Sequence, residues 1–264
     1  MPENQYGQFH RIEQMIGREA LDVLHQTRLL VAGLGAVGSY AVEALARCGI
    51  GSFTLIDCDT VKPSNINRQL FALWETVGRK KTDVARDRVQ AITPDATVET
   101  FDVLLNEATR PEYLRCPAGD GPFFLLDAID SLGPKVDLIE MALRRQIPFI
   151  SSMGAALRTD PTLVRIGPLT EVTYCPLSAA IRKRLRRRGV NTDEVRCVYS
   201  PEEVRAIHRD KILPPECSED DRSLPGRQRC TLGSLPTITG IFGLFIANEV
   251  IRVLTEPHLS HTRK

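Results

Sequence analysis

The sequence predicts an α/β chain built on a doubly wound parallel sheet, and three adjoining stretches carry that reading. Arg28-Leu29-Leu30-Val31-Ala32 is a short apolar run that leads into a glycine-rich turn, Gly33-Leu34-Gly35-Ala36-Val37-Gly38. Ser39 to Arg47 follows with apolar positions at helical spacing, and Gly49 and Gly51 stop that helix. Phe53-Thr54-Leu55-Ile56 then reads as a buried strand ending at Asp57. Strand, turn, helix and strand in that order make a parallel unit, because parallel strands need a crossover connection that a helix supplies.

The pattern recurs downstream. Arg79 to Ile92 is a charged amphipathic helix, Thr97 to Phe101 a strand, and Phe123-Phe124-Leu125-Leu126 a strand that ends at Asp127. Pro134 to Arg145 reads as a helix and Pro148-Phe149-Ile150 as the next strand, with turns at Gly154 and Asp160-Pro161. The doubly wound part thus covers at least residues 28–153, inside a nucleotide-binding unit drawn at 1–155. Residues 156–264 form a smaller C-terminal portion packed on the same domain. There Pro176 to Arg188 is a very basic helix, Val195 to Tyr199 a strand, Lys211 to Arg229 a long loop, and Thr237 to Leu254 a closing apolar helix.

Composition narrows the function classes. Of 264 residues, 42% are hydrophobic and 25% charged, which excludes a disordered or fibrous chain. Lys and Arg number 34 against 33 Asp and Glu, a net charge of +1, so any nucleic-acid contact must come from a local patch. Seven cysteines with no CxxC pair support neither a disulfide framework nor a four-cysteine zinc site, and fit a reducing cytoplasm. The first 14 residues lack the apolar core of a secretory signal. The uncharged run from Cys230 to Asn248 is read as a buried helix rather than a membrane span, and membrane association is not expected.

The chemistry begins at the glycine turn. Gly33 suits a tight turn, Gly35 lets a phosphate or ribose approach the main chain, and Gly38 lets the helix pack on the strand. The free N–H groups and positive dipole of the helix start favour an anion. Asp57 lies 19 residues beyond Gly38, at a strand end where a carboxylate can take ribose hydroxyls. This motif alone fits a nicotinamide cofactor or ATP equally well. The next segment separates them: Ser64-Asn65-Ile66-Asn67-Arg68-Gln69 is followed, 13 residues after Arg68, by Lys81 at a helix start. A site that splits a triphosphate needs such cations as charge builds on the phosphate oxygens, although the plain reading of both is solvated surface charge. Asp130 lies just past a strand end, where it can hold Mg²⁺ against phosphate oxygens, with Ser131 beside it a further candidate to contact ATP; alternatively Asp130 or Ser131 caps the next helix.

These stretches in order, 33–51 (GLGAVGSYAVEALARCGIG), 55–72 (LIDCDTVKPSNINRQLFA), 77–81 (VGRKK) and 126–131 (LDAIDS), resemble the ThiF/MoeB superfamily, adenylating relatives of the ubiquitin-activating enzymes. The resemblance implies a Rossmann-like fold. It also implies that Gly35 and Asp57 bind the adenosine half of ATP, that Asn65, Arg68 and Lys81 contact phosphates, and that Asp130 binds Mg²⁺. Gln8 to Gly17 looks like the N-terminal segment that reaches a partner subunit's ATP site, which makes Arg11 the candidate and a homodimer the expected assembly. The second half resembles the TcdA branch, the tRNA threonylcarbamoyladenosine dehydratases, through Asp160-Pro161-Thr162, Cys175-Pro176-Leu177, Cys197 to Glu202 and Gly233 to Pro236. It departs at Cys175, where that branch often has Asp, and in the loop 211–229. A cysteine-desulfurase and sulfur-acceptor system is a further implied partner.

In that branch the threonyl carboxylate of the modified adenosine attacks ATP, and the neighbouring carbamoyl group closes a ring on the resulting acyl-adenylate. No cysteine nucleophile is needed; Cys175 and Cys230 are the thiols to test. Arg182-Lys183-Arg184-Leu185-Arg186-Arg187-Arg188 carries six cations in seven residues around a seam of Ile181 and Leu185. It reads as a tRNA backbone contact, or else as a solvated helix pairing with Glu202 and Glu203. The alternatives to the dehydratase are an adenylyltransferase for the C-terminal glycine of a ubiquitin-like sulfur carrier, a nicotinamide-dependent oxidoreductase, and a non-catalytic nucleotide- or tRNA-binding module.

Overall fold

Strand β1 (Arg28–Ala32) is the third strand of one seven-stranded sheet in the order β3-β2-β1-β4-β5-β7-β6. The structure is a computed structural model that describes residues 7–105, 121–204 and 232–258. The loop read over 211–229 and residues Cys116, Cys217 and Cys230 lie outside the described residues. Strands β2 (Ser52–Ile56), β3 (Thr97–Phe101), β4 (Phe123–Asp127) and β5 (Phe149–Ser152) run parallel to β1. β7 (Arg196–Tyr199) continues the parallel set beside β5, and β6 (Arg165–Pro168) closes that edge antiparallel to β7. The C-terminal portion therefore adds strands to the same sheet.

Period-two alternation divides the strand residues between two cores. Leu29 and Val31 of β1 face one cluster, Leu30 and Ala32 the other. On the first face lie α2 (Arg18–Gln26), α3 (Gly38–Arg47), α4 (Lys81–Ile92) and α7 (Pro236–Thr255). On the second lie α5 (Leu132–Arg144) and α6 (Pro176–Arg187). A short helix, α1 (His10–Ile16), precedes α2. The helix expected from Pro134 begins at Leu132 instead, since proline is tolerated in the first turn, where its missing N–H has no intrahelical partner.

α7 is long and apolar enough to cross a membrane by length and composition, yet it packs on α2, α3, β5 and β7. Phe242, Ile246 and Val250 are fully buried, each contributing about 1.5–3 kcal/mol of transfer free energy. Its glycines explain how close it comes to α3: a Cβ at Gly243 would lie 2.5 Å from the Val37 carbonyl oxygen and 3.0 Å from the Ala41 backbone nitrogen. Val37 belongs to the glycine turn, so α7 braces that turn from behind. Gly243→Ala is expected to cost about 1–3 kcal/mol, read as a lowered Tm; an unchanged Tm would mean that the two helices separate freely.

Candidate active site

The site is assembled at the carboxyl edge of the parallel strands, where β1, β2 and β4 are followed by Gly33, Asp57 and Ala128. Gly33 adopts φ +96°, and a Cβ there would sit 2.7 Å from the Ala128 carbonyl oxygen, so the turn and the β4 loop are in direct contact. Gly38 touches Gly33 in the same way: a Cβ would meet the Gly33 carbonyl oxygen at 1.9 Å. Around Gly35 the space is open, with the nearest atom, Gln69 Nε2, 3.9 Å from a built Cβ. Two glycines thus close the turn and one leaves room above it, at the start of α3. Ser39 ties the neighbouring segment in: its Oγ donates to the Gly35 carbonyl at 2.7 Å and accepts from the Leu70 N–H at 3.1 Å.

Asp57 is placed differently from a freely offered ribose ligand. Its Oδ2 accepts from the Leu34 N–H of the glycine turn at 2.7 Å and its Oδ1 from the Asp59 N–H after β2 at 2.9 Å, and each keeps a second lone pair for a ligand. Burial pushes this carboxyl above the usual carboxylate range; nearby Lys81 opposes the rise and Asp59 adds to it. Lys81 is itself buried, its Nζ 2.9 Å from Asp59 Oδ2 and 3.9 Å from Asp57 Oδ1. Asp59 is the partner that the sequence reading missed, although its spacing of two from Asp57 was visible.

Arg68 is half-buried and donates from Nη1 to the Ser64 carbonyl and to Asn67 Oδ1, both at 2.8 Å. Asn65 Oδ1 accepts from the Lys62 N–H at 3.0 Å, leaving its amide nitrogen as the donor for an anion. Asp130 is exposed and accepts from Ser131 Oγ at 3.3 Å. Ser131 occupies the cap position of α5 without a side-chain cap bond. An exposed carboxylate beside a phosphate cradle fits Mg²⁺, which takes one or two carboxylates plus phosphate oxygens. The Asp57-Cys58-Asp59 group, with ligand atoms within 4.8 Å of one another, fits it less well: one donor is a soft thiol, and Lys81 already balances the acids. Arg11 is exposed on α1, away from these contacts, with Met15 one turn further on at 86% exposure.

The six cations of the basic helix divide. Arg182 turns inward, its Nη1 donating to the carbonyls of Leu169 (2.9 Å) and Val172 (2.7 Å). Arg188 pairs with Asp137 (2.6 Å) and Glu140 (2.8 Å) on α5. These two are engaged within the protein, although Arg188 remains exposed. Glu202, the expected acid partner, instead accepts from Thr159 and Asp160. Lys183, Arg184, Arg186 and Arg187 stay exposed, and Ile181 and Leu185 form the buried seam. Among the cysteines, burial pushes the Cys197 thiol up to about 12 and raises Cys48, which keeps both protonated. Cys175 caps α6, its Sγ accepting from the Ser178 N–H at 3.4 Å.

A family model described as the ThiF family matches residues 9–264. The tRNA threonylcarbamoyladenosine dehydratase of Bacillus subtilis is 34% identical, over 92% of this chain and 93% of that protein. The crystal structure of the Escherichia coli tRNA N6-threonylcarbamoyladenosine dehydratase, TcdA, in complex with ATP matches with a TM-score of 0.83 at 30% identity, covering 98% of each chain. A second structure of that enzyme, in complex with AMP, matches with the same score over 97% of each chain.

Proposed function

We propose that this chain, which belongs to the ThiF family, is an ATP-dependent tRNA threonylcarbamoyladenosine dehydratase. One observation carries the reading: the likeness to enzymes of that name runs through the whole chain, including the second half, where the sulfur-carrier adenylyltransferases would differ.

The chemistry follows from the substrate. A carboxylate is a poor electrophile because its leaving group would be oxide or water. Attack of the threonyl carboxylate oxygen on the α-phosphorus of ATP forms a P–O bond and expels pyrophosphate. The adjoining carbamoyl group then attacks the activated carbonyl, a ring closes, and AMP departs with the oxygen. Because the second attack is intramolecular, proximity supplies much of its rate without a protein nucleophile. In this reading the open space at Gly35 and the start of α3 take phosphate. Arg68, Lys81 and the Asn65 amide balance charge as pyrophosphate leaves, and Asp57 orients the turn and the ribose. Lys81 would exchange its Asp59 contact for phosphate.

Asp130 is the residue assigned to Mg²⁺, which when bound would screen the phosphate oxygens. Arg11 is assigned to the ATP site of a second copy of the chain; its exposure and the bare Met15 beside it support that homodimer. The four outward cations of α6 are assigned to the tRNA backbone. A cysteine-desulfurase system is a second partner on the resemblance alone, and the reading assigns the enzyme to the cytoplasm, where tRNA and ATP meet.

The test is mass spectrometry of nucleosides from tRNA bearing threonylcarbamoyladenosine, incubated with the protein, ATP and Mg²⁺. The expected result is a modified adenosine lighter by one water, with one AMP released per conversion. An unchanged nucleoside, with AMP formed only when a Gly-Gly-tailed protein is added, would transfer the chain to the sulfur-carrier activators.

A further inference from the structure

The buried pair of Asp127 and Lys135 lies directly beneath the Asp130 turn, and the mechanism above does not use it. Both side chains are 0% exposed, with Lys135 Nζ 2.8 Å from Asp127 Oδ2. Removing two charges from water is costly, and an ion pair of this kind is weak evidence for stability by itself. Its hydrogen bonds point to a different use. Asp127 Oδ1 accepts from the Ile129 N–H at 3.1 Å, and Asp127 Oδ2 from Ser151 Oγ at 2.7 Å. Lys135 Nζ donates to the Ile129 carbonyl at 2.9 Å, while the Lys135 backbone N–H donates to the Ser131 carbonyl at 3.2 Å. The two carbonyls that flank Asp130 are therefore both bonded to one residue. On its other side the same loop is pinned to the glycine turn: Ala128 N–H donates to the Ala32 carbonyl at 2.8 Å, and a Cβ at Gly33 would meet Ala128 and Ile129 within 3.1 Å.

We propose that Lys135, paired with Asp127, is a positioning residue that fixes the Asp130 carboxylate relative to the phosphate cradle, and so sets how strongly Mg²⁺ assists ATP binding. The inference rests on the ATP-dependent reading above and on Asp130 as the metal-facing acid. A group one shell behind a metal-binding carboxylate typically changes metal affinity or activity by about 10–100-fold when replaced.

The test separates this role from a merely structural one. Lys135→Met alone leaves a buried carboxylate unpaired and lowers Tm by about 10 °C. The double variant Asp127→Asn with Lys135→Met removes both charges, keeps an acceptor oxygen for the Ile129 N–H, lets the new amide nitrogen donate to Ser151 Oγ, and is expected to recover most of that Tm. Calorimetric ATP titrations at 10 °C, with and without Mg²⁺, compare it with the wild type. The double variant is expected to bind ATP alone like the wild type but to lose about tenfold of the Mg²⁺-dependent gain, with kcat for AMP formation down by a similar factor. Lys135→Arg, which keeps the charge and donors, retains the Mg²⁺ response. A double variant with a wild-type Mg²⁺ response and wild-type kcat overturns the proposal. Wild-type protein run alongside keeps the two ideas apart: a wild type that binds no ATP and forms no AMP defeats the dehydratase reading itself, whereas an active wild type beside an equally active double variant defeats only the role of Lys135.

Discussion

Asp130→Ala is expected to lower kcat/KM for AMP formation by about 10³-fold while Tm stays within a degree or two of the wild type. On the proposed reading the variant removes a charge from the centre of phosphate transfer, where single groups account for about 10²–10³ in rate. The unchanged Tm follows from exposure: Asp130 is solvent-facing, and surface replacements usually stay within about 0.5 kcal/mol. Asp57→Ala is the contrasting control. Its two oxygens hold the Leu34 and Asp59 N–H groups, so its loss weakens the glycine turn and lowers Tm and activity together. Steady-state AMP release with saturating Mg²⁺ and a thermal melt on each variant make the comparison. Asp130→Ala enzyme within threefold of wild-type kcat/KM would remove that carboxylate from the reaction.

The contrast between these two acids also marks what the sequence could and could not say. The strands β1, β2 and β4, the turn between β1 and α3, and the apolar helix α7 were legible because each has a strong period or a glycine signature whose physical demand is local. Asp57 and Asp130 were singled out for the same reason, since both follow apolar runs. The hydrogen bonds that each makes were not legible. Which one spends its oxygens on the main chain depends on how β1, β2 and β4 lie side by side, and that pairing joins residues as far apart as Ala32 and Asp127. Strand β6 escaped notice because Arg165-Ile166-Gly167-Pro168 offers one large apolar residue and a proline, a composition that suits an edge strand and signals nothing by itself. Helix α1 was seen only as part of a stretch, Gln8 to Gly17, resembling a family segment, and α2 was not read. Lys135 could have been found: positions 135, 138, 139 and 142 share one helix face, Leu138, Ile139 and Ala142 are apolar, and a lysine among them calls for a buried acid.

The basic helix gives the second large effect, and here too the division of labour was hidden, because the acids that pair with Arg188 come from α5, about 50 residues upstream. Replacing Lys183, Arg184, Arg186 and Arg187 together by Gln is expected to weaken tRNA binding about a hundredfold at moderate ionic strength. The plot of log affinity against log salt should become shallower by about three units, since each phosphate contact contributes about 0.7–0.9 to that slope. Arg182→Gln and Arg188→Gln should lower Tm and leave the slope nearly as it was, because their guanidinium groups hold the carbonyls of Leu169 and Val172 and the carboxylates of Asp137 and Glu140. One of the four outward cations lies near the Asp130 turn: a Cβ built at Gly133, three residues beyond Asp130, would lie 4.0 Å from Arg184 Nη1. On the proposed reading, an RNA backbone gripped there would run past the turn that carries Asp130 and bring a nucleoside carboxylate toward a bound triphosphate. Filter binding across a salt series reads the slope directly. A quadruple variant with the wild-type slope would leave α6 a solvated helix and require the tRNA to enter from another face.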